Sequence, residues 1–356
     1  MKKVLFDEQI FEQQAYGGIS KYFCELYSEL IKASVRGWGY EIHAPFHQNK
    51  YLADLRKKTL LLGRLIKYYR FYQQLNKFTF GKDAELTHQT YYFKPKPNYG
   101  KNIITCFDLI QELHMPKSGF NDRVLRLKKK SISSADHIIA ISEQTKKDLV
   151  GYYGVDNQKV SVIHLGVNKS KFEIGSNKIE GPFFLFVGNR AGYKNFESVL
   201  IAMVDALKEI PHLKLISFGG GHFSAEENIL IRKLNLADSV CQVSGTDEQL
   251  AAYYKKATGL VYSSKYEGFG LPIIEAMQKG CPVITANYGA MLEVAQGRAF
   301  HVDPSDPNEL ANAMTKLTLD KGLRVSLVQN GYAVASLYSW QKTAEETQKV
   351  YEAVLS

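Results

Sequence analysis

The chain has 356 residues, too many for one ordinary core and suited to two domains of about 150 to 200 residues each. Hydrophobic residues make up 45% and charged residues 23%, and no run of about 18 apolar residues occurs, which excludes a disordered chain and a helical membrane span. The net charge of +9 is lopsided: residues 1–170 carry 27 Lys and Arg against 16 Asp and Glu, and the remainder is slightly acidic, which points to an anionic partner for the first half.

In chain order, MKKVLFD reads as a first strand, because Asp7 and Glu8 interrupt any signal-peptide apolar region. AYGGIS follows, where Gly17 and Gly18 open a helix and bare a place for a phosphate to meet helix N–H groups; taken alone, the pair ranks below a plain loop. It is not GxGxxG, so a dinucleotide site is disfavoured. Ile19, Tyr22, Phe23, Leu26, Tyr27, Leu30 and Ile31 then recur at helical spacing, predicting one buried face. After the strand YEIHA (40–44), residues 50–82 hold nine Lys and Arg and one acid, interleaved with Leu, Ile, Tyr and Phe. That composition fits a helix on an anionic membrane surface or a solvated basic face equally; RNA binding ranks below both, since no RNA-binding motif accompanies the charge.

ELTHQTYY contains a further strand ending near His88. NIITCF (102–107), HIIAIS (137–142) and VSVIH (160–164) complete the first half. Residues 165–182 are polar, glycine-bearing and end in proline, which marks a boundary. FFLFVG, KLISFG, VCQVSG, GLVYSS, PVITAN and AFHVD (183–188, 214–219, 240–245, 259–264, 282–287 and 299–303) are the strands of the second half. Near-continuous apolar strands alternating with helices predict parallel sheets covered on both faces, in two Rossmann-like doubly wound α/β domains. Ligands bind beyond the carboxyl ends of such strands, so a ligand is expected in a cleft across which the two domains face each other.

The segment SSKYEGFGLPIIEAMQKGCPVI (263–284) carries the strongest chemical signal. Pro272 suits a first helical turn, and Gly268 and Gly270 let backbone approach a ligand. Glu267 and Glu275 flank the turn, where two carboxylates can accept hydrogen bonds from different hydroxyls of one polyol; otherwise this is a tight strand–helix turn with two solvated glutamates. The segment resembles the signature of glycosyltransferase family 4. FVGNRAGYKN (186–195), SADHIIAISEQTKKDL (134–149), VIHLGVN (162–168) and GTDEQLAAYYKKA (245–257) extend the resemblance over most of the chain.

The resemblance implies the GT-B fold and retention of anomeric configuration. It implies an acceptor-binding domain at 1–170, a nucleotide-sugar-binding domain at 171–335, and a last helix, 336–356, crossing back to the first domain. Glu275 would bind the ribose. Glu267, with the amides of Gly268, Phe269 and Gly270 in the turn that Leu271 closes, would hold the transferred sugar. Arg190 and Lys194 would bind the diphosphate, although the family often spaces these cations one residue further apart. Gly17 and Gly18 would lie against the donor phosphate. The family's histidine before an aspartate is missing: the pair here is Phe107-Asp108. His88, Tyr91, Tyr92, Asp108 and His114 are the acceptor-side candidates.

Cys24, Cys106, Cys241 and Cys281 lie far apart, so a reducing cytoplasm is expected. No Asp-x-Asp and no metal-ligand spacing occurs, so no metal and no cofactor are expected. The expected function is transfer of a hexose from a UDP-, GDP- or dTDP-sugar to a glycan or lipid-linked acceptor, in surface polysaccharide or lipopolysaccharide synthesis. Peripheral contact with the anionic inner face of the cytoplasmic membrane is expected too, and no nucleic acid. The rivals are a phosphorylase or epimerase on the same fold and a catalytically silent nucleotide-sugar-binding subunit.

Overall fold

The computed structural model describes residues 2–33, 35–44, 47–60, 83–92, 100–115, 119–168, 181–190 and 192–356. The chain divides into two compact units, Met1–Gly166 with Ser339–Ser356, and Val167–Tyr338. Each is built on one six-stranded sheet, and every strand pairing is parallel. Helices pack against these sheets, which is why the strands are apolar almost throughout rather than alternating.

In the first unit the strands are β1 (Lys2–Phe6), β2 (Trp38–Ile42), β3 (Leu86–Gln89), β4 (Lys101–Cys106), β5 (His137–Ala140) and β6 (Val160–Val162), ordered β2-β1-β3-β4-β5-β6. Phe6 stands opposite both Ile42 and His88, so the carboxyl ends of the three strands are level. The order reverses between β1 and β3, which makes their carboxyl ends the switch point of this sheet.

Helix Gly18–Ala33 buries Tyr22, Phe23, Leu26 and Leu30, four of the seven residues on the predicted face. Ile31 departs from it and is 40% exposed. At 3.6 residues per turn it stands about 140° round the axis from Leu26, beyond the stripe that one core can cover. Helix Trp340–Val354 packs on Gly18–Ala33 and buries Trp340, Thr347 and Tyr351. Gly166 is where the chain must pass: a Cβ there would lie 2.2 Å from the Trp340 nitrogen.

In the second unit β7 (Phe183–Val187), β8 (Lys214–Phe218), β9 (Val240–Val243), β10 (Gly259–Tyr262), β11 (Val283–Ala286) and β12 (Phe300–Val302) are ordered β12-β11-β10-β7-β8-β9. Helices Phe196–Glu209 and Pro307–Leu319 pack together, and their Val199, Met203, Leu310 and Met314 meet Phe184 and Val261 in the core. Here the order reverses between β7 and β10.

Two expectations fall partly outside the described residues. Of the boundary at 165–182, residues 169–180 are not described. Of the basic stretch at 50–82, only helix Lys50–Leu60 is described. In it Leu52 is buried, and Arg56 is turned back onto the chain, with Nη1 3.0 Å from His47 Nε2 and Nη2 donating to Ala44 O at 3.3 Å. Among the described residues no helix is long and apolar enough to cross a membrane.

Candidate active site

The switch point of the second sheet brings together the two loops singled out in the sequence. After β7, Gly188 turns at φ +103°, and the chain forms a short 3-10 turn at Gly192–Lys194. Asn195, at φ +59°, precedes helix Phe196–Glu209. The loop after β10 is tied to this turn: Ser263 Oγ donates to Lys194 O (3.1 Å) and Asn195 O (3.3 Å), and the Lys265 amide donates to Tyr193 O (2.7 Å). Across these bonds Lys194 Nζ meets Glu267 Oε1 at 2.5 Å, with both side chains largely buried. Lys194 also lies over the Tyr193 and Tyr262 rings, 5.2 and 5.4 Å from their centroids.

Gly270 then takes φ +105°, which a Cβ-bearing residue rarely adopts, and Leu271 and Pro272 open helix Leu271–Gln278. Gly268 is buried. The Phe269 ring is buried edge-on against Tyr338, 5.8 Å between centroids, so the ring packs in the core of this unit. Glu275 lies one turn into the helix, half-buried, and its Oε2 accepts from the Tyr254 hydroxyl at 3.4 Å. Ser263 and Tyr254 were not singled out in the sequence. Nothing distinguishes a serine that closes a strand or a tyrosine on a helix until its partners are known.

Arg190 requires a correction. It was expected to present a free cation to a diphosphate, but its side chain is turned inward. Nε donates to Glu227 Oε1 (2.9 Å), Nη1 to Ser217 Oγ (3.3 Å) and Gly219 O (3.1 Å), and Nη2 to Gly221 O (3.0 Å) and His222 O (2.8 Å). The guanidinium lies over the Phe223 ring at 4.9 Å. Its donors are used and its charge is answered by Glu227. Of the two predicted cations, only Lys194 joins the glutamates.

The first unit sorts its candidates differently. Asp108, half-buried, follows β4 and accepts from the Ile110 amide at 3.1 Å; His114 is exposed past the end of the short helix Ile110–Leu113. Tyr91 is half-buried and packs on Tyr92, 4.8 Å between ring centroids. Tyr92 is 5% exposed, and its hydroxyl points at Thr105 O (3.5 Å), which removes it from the acceptor side.

His88 is removed as well. It is fully buried in β3, with Nδ1 2.7 Å from the Tyr351 hydroxyl and Nε2 2.8 Å from Thr105 Oγ1, beside the rings of Phe6 and Phe23. Burial pushes its pKa down to about 3, so it is a neutral core imidazole. Gly17 and Gly18 lie where helix Gly18–Ala33 starts. A Cβ on Gly17 would collide with the Gln14 side chain, whose Oε1 accepts from the Ser20 amide at 3.2 Å.

Two polar clusters in this unit escaped the sequence. At the β1/β3 switch point Asp7 Oδ1 accepts from the Thr90 amide (3.0 Å) and hydroxyl (2.6 Å), and Oδ2 accepts from Gln9 Nε2 (2.6 Å). Burial outweighs these bonds and raises its pKa to about 6. Under the Asp108 loop, Lys128 Nζ donates to Asp108 O (2.6 Å) and pairs with Glu112 (2.8 Å), which accepts from the Tyr153 hydroxyl (2.6 Å). Burial pulls the Lys128 ammonium down, but Cys106, Asp108 and Glu112 outweigh it. Gln9 is two residues from Asp7, but Thr90 lies 83 residues away and Lys128 and Tyr153 lie 16 and 41 from Glu112, so no local spacing announces either cluster.

Among the described residues no group of three or more His, Cys, Asp and Glu could hold a metal ion. A groove of about 590 Å³ in the second unit is lined by Pro182, Thr258 and Pro282, which precede β7, β10 and β11, so it lies at the amino edge of that sheet, away from the site.

Comparison with known proteins bears on this geometry. The family model described as Glycosyl transferases group 1 matches residues 168–334, and that described as Glycosyltransferase Family 4 matches residues 16–171. The O-antigen chain mannosyltransferase RfbU of Salmonella typhimurium is 30% identical over 259 residues, 72% of this chain and 70% of RfbU. An uncharacterised glycosyltransferase of Methanocaldococcus jannaschii is 28% identical over 235 residues, 61% of this chain and 60% of that protein. The match thus leaves about two fifths of the archaeal relative unspanned. In fold, the Anabaena protein HepE, solved in complex with UDP and glucose, is similar with a TM-score of 0.73 at 16% identity, covering 99% of this chain and 100% of that one. The two six-stranded parallel sheets are those of the GT-B fold.

Proposed function

The chain belongs to the group 1 glycosyltransferases of family 4, and from that membership we propose a retaining, metal-independent hexosyltransferase that uses a nucleotide-diphosphate sugar. The observation that carries the reading is the contact of Lys194 with Glu267 at the β7/β10 switch point, one glycine turn from Glu275. Lys194 answers the charge that grows on the leaving diphosphate, a fixed cation in a partly buried place. Glu267 and the backbone of Gly268, Phe269 and Gly270 take hydroxyls of the transferred sugar. Glu275 takes those of the ribose.

In the reaction, the bond from the anomeric carbon to the phosphate oxygen breaks. The acceptor hydroxyl bonds to that carbon on the same face, and the leaving phosphate oxygen receives its proton. This route needs no protein base, in keeping with Phe107 at the usual histidine position. Asp108, Tyr91 and His114 remain the acceptor-side candidates, with Gly17 and Gly18 beside the donor phosphate.

The acceptor is a glycan or lipid-linked glycan of surface polysaccharide or lipopolysaccharide synthesis, supported by the likeness to an O-antigen chain mannosyltransferase. That HepE was solved with UDP and glucose supports a nucleotide-sugar donor. The basic first half supports contact with an anionic inner membrane face, and the four separated cysteines support a reducing cytoplasm. A thermal-shift screen against UDP-, GDP- and dTDP-sugars tests the donor, because a tight ligand raises apparent stability by mass action. Product analysis of the active donor, with and without EDTA, should give nucleoside diphosphate and an α- or β-linkage matching the donor. Inversion, or activity lost to EDTA and restored by magnesium, would refute the corresponding part.

A further inference from the structure

Arg190 follows β7 at the same sheet edge as Lys194, yet its donors are all taken by its own surroundings. The residues it holds explain why it is there. Gly219, Gly220 and Gly221 follow β8, the neighbour of β7 on the side away from β10, and take φ of +80°, +69° and +74°. Three successive left-handed residues are tolerated only as glycine. Their carbonyls and that of His222 converge on the guanidinium at 2.8 to 3.4 Å. The backbone packs so closely that a Cβ on Gly220 would lie 2.5 Å from Gly188 O and 2.8 Å from Arg190 Nη1.

Glu227 completes the arrangement. It pairs with Arg190 Nε and closes a capping box with Ser224 at the start of helix Ala225–Lys233. A run of left-handed glycines has no side chains to fix it and loses much entropy on ordering. One planar cation with five donors supplies that order, which an ammonium with three cannot reproduce.

We infer that Arg190 is a positioning residue, which with Glu227 locks the Gly219–Gly221 turn into the wall of the nucleotide site instead of binding the diphosphate itself. The inference rests on the proposed donor site at this sheet edge, and the two can fail separately. The variants are Arg190→Lys, Arg190→Gln and Glu227→Gln, the last keeping a side chain able to close the capping box.

Hydrogen exchange in the absence of nucleotide tests the lock itself. The Gly219 amide, which donates to Val243 O at 2.8 Å, should exchange at least roughly tenfold faster in all three variants, and a wild-type rate in Arg190→Gln would overturn the inference whatever the protein binds. Titration with UDP, GDP and dTDP, followed by donor hydrolysis, tests the consequence. If Arg190 acts through the turn, Glu227→Gln should weaken nucleotide binding roughly tenfold, as Arg190→Lys does, raising donor KM with kcat nearly kept. If Arg190 were instead a phosphate ligand held in check, Glu227→Gln would free it and binding would hold or tighten, which overturns the inference. Faster exchange with no nucleotide bound by the wild type would leave the lock standing and sink the donor-site reading on which its functional role depends.

Discussion

Glu267 and Glu275 end the same glycine turn but have different partners, and their variants should differ accordingly. Glu267 faces the only predicted cation that remains in the site, whereas Glu275 faces the Tyr254 hydroxyl. Glu275→Ala should weaken nucleotide binding and Glu267→Ala should mainly lower turnover, each by roughly 10- to 150-fold, the worth of a hydrogen bond to a charged group. Donor titration and initial rates on the two variants check this. Two other side chains set opposite pH dependences. His88 titrates near 6.5 unfolded and about 3 folded, so its contribution is complete above pH 6.5 and is lost as the pH falls toward 3. Asp7, raised from 3.8 to about 6, does the reverse: the folded state holds its proton longer, so stability falls as pH rises through that window. The two offset each other between about pH 4 and 6. Asp7→Asn should therefore make acid destabilisation steeper, and His88→Gln should make it shallower, read from urea midpoints between pH 4 and 7. The same residues mark the limit of the sequence. That Lys194 meets Glu267 accords with the reading of the sequence, which drew on residues local to two short loops. His88 and Arg190 were misjudged because both look like site residues by type, and only the neighbours that satisfy them reveal a core role.

At the scale of elements, every strand of both sheets was legible, since buried parallel strands are short apolar runs between turns. What could not be read was how elements are fastened. Lys128 on helix Gly119–Ser134 reaches Glu112 on helix Ile110–Leu113 and the carbonyl of Asp108, while Tyr153 on helix Glu143–Tyr153 reaches the same glutamate. These residues lie 16 and 41 positions from Glu112, at no period that a sequence scan follows. Lys128→Met should destabilise by about 3 to 5 kcal/mol, because it leaves a buried carboxylate without its cation. Adding Glu112→Leu should recover much of the loss, since a buried pair replaced whole by apolar residues is often close to neutral. Thermal midpoints of the single and double variants decide; a double variant no better than the single would show that the pair does more than answer its own charge.

For the molecule as a whole, the helix Trp340–Val354 belongs to the first unit although it follows the second in sequence. Its Tyr351 is fully buried and holds His88, and Thr343 donates to His164 O at 2.8 Å. Tyr351→Ala should cost about 3 to 5 kcal/mol, the range for losing a large buried ring, and lower the melting temperature. Nucleotide affinity below that temperature should change far less than stability, because Lys194, Glu267 and Glu275 lie in the other unit and Gly17 and Gly18 offer the donor only backbone; isothermal titration with the nucleotide selected by the screen checks it. The placement of this helix also orders events during synthesis. A chain elongating at about 5 to 20 residues per second exposes the first 166 residues early, yet their core lacks Trp340 and Tyr351 until residues 167–338 have followed. The unit made first is thus the last able to close. While it waits, the groove that receives the late helix is an open apolar face on the nascent chain, the kind of surface to which chaperones bind.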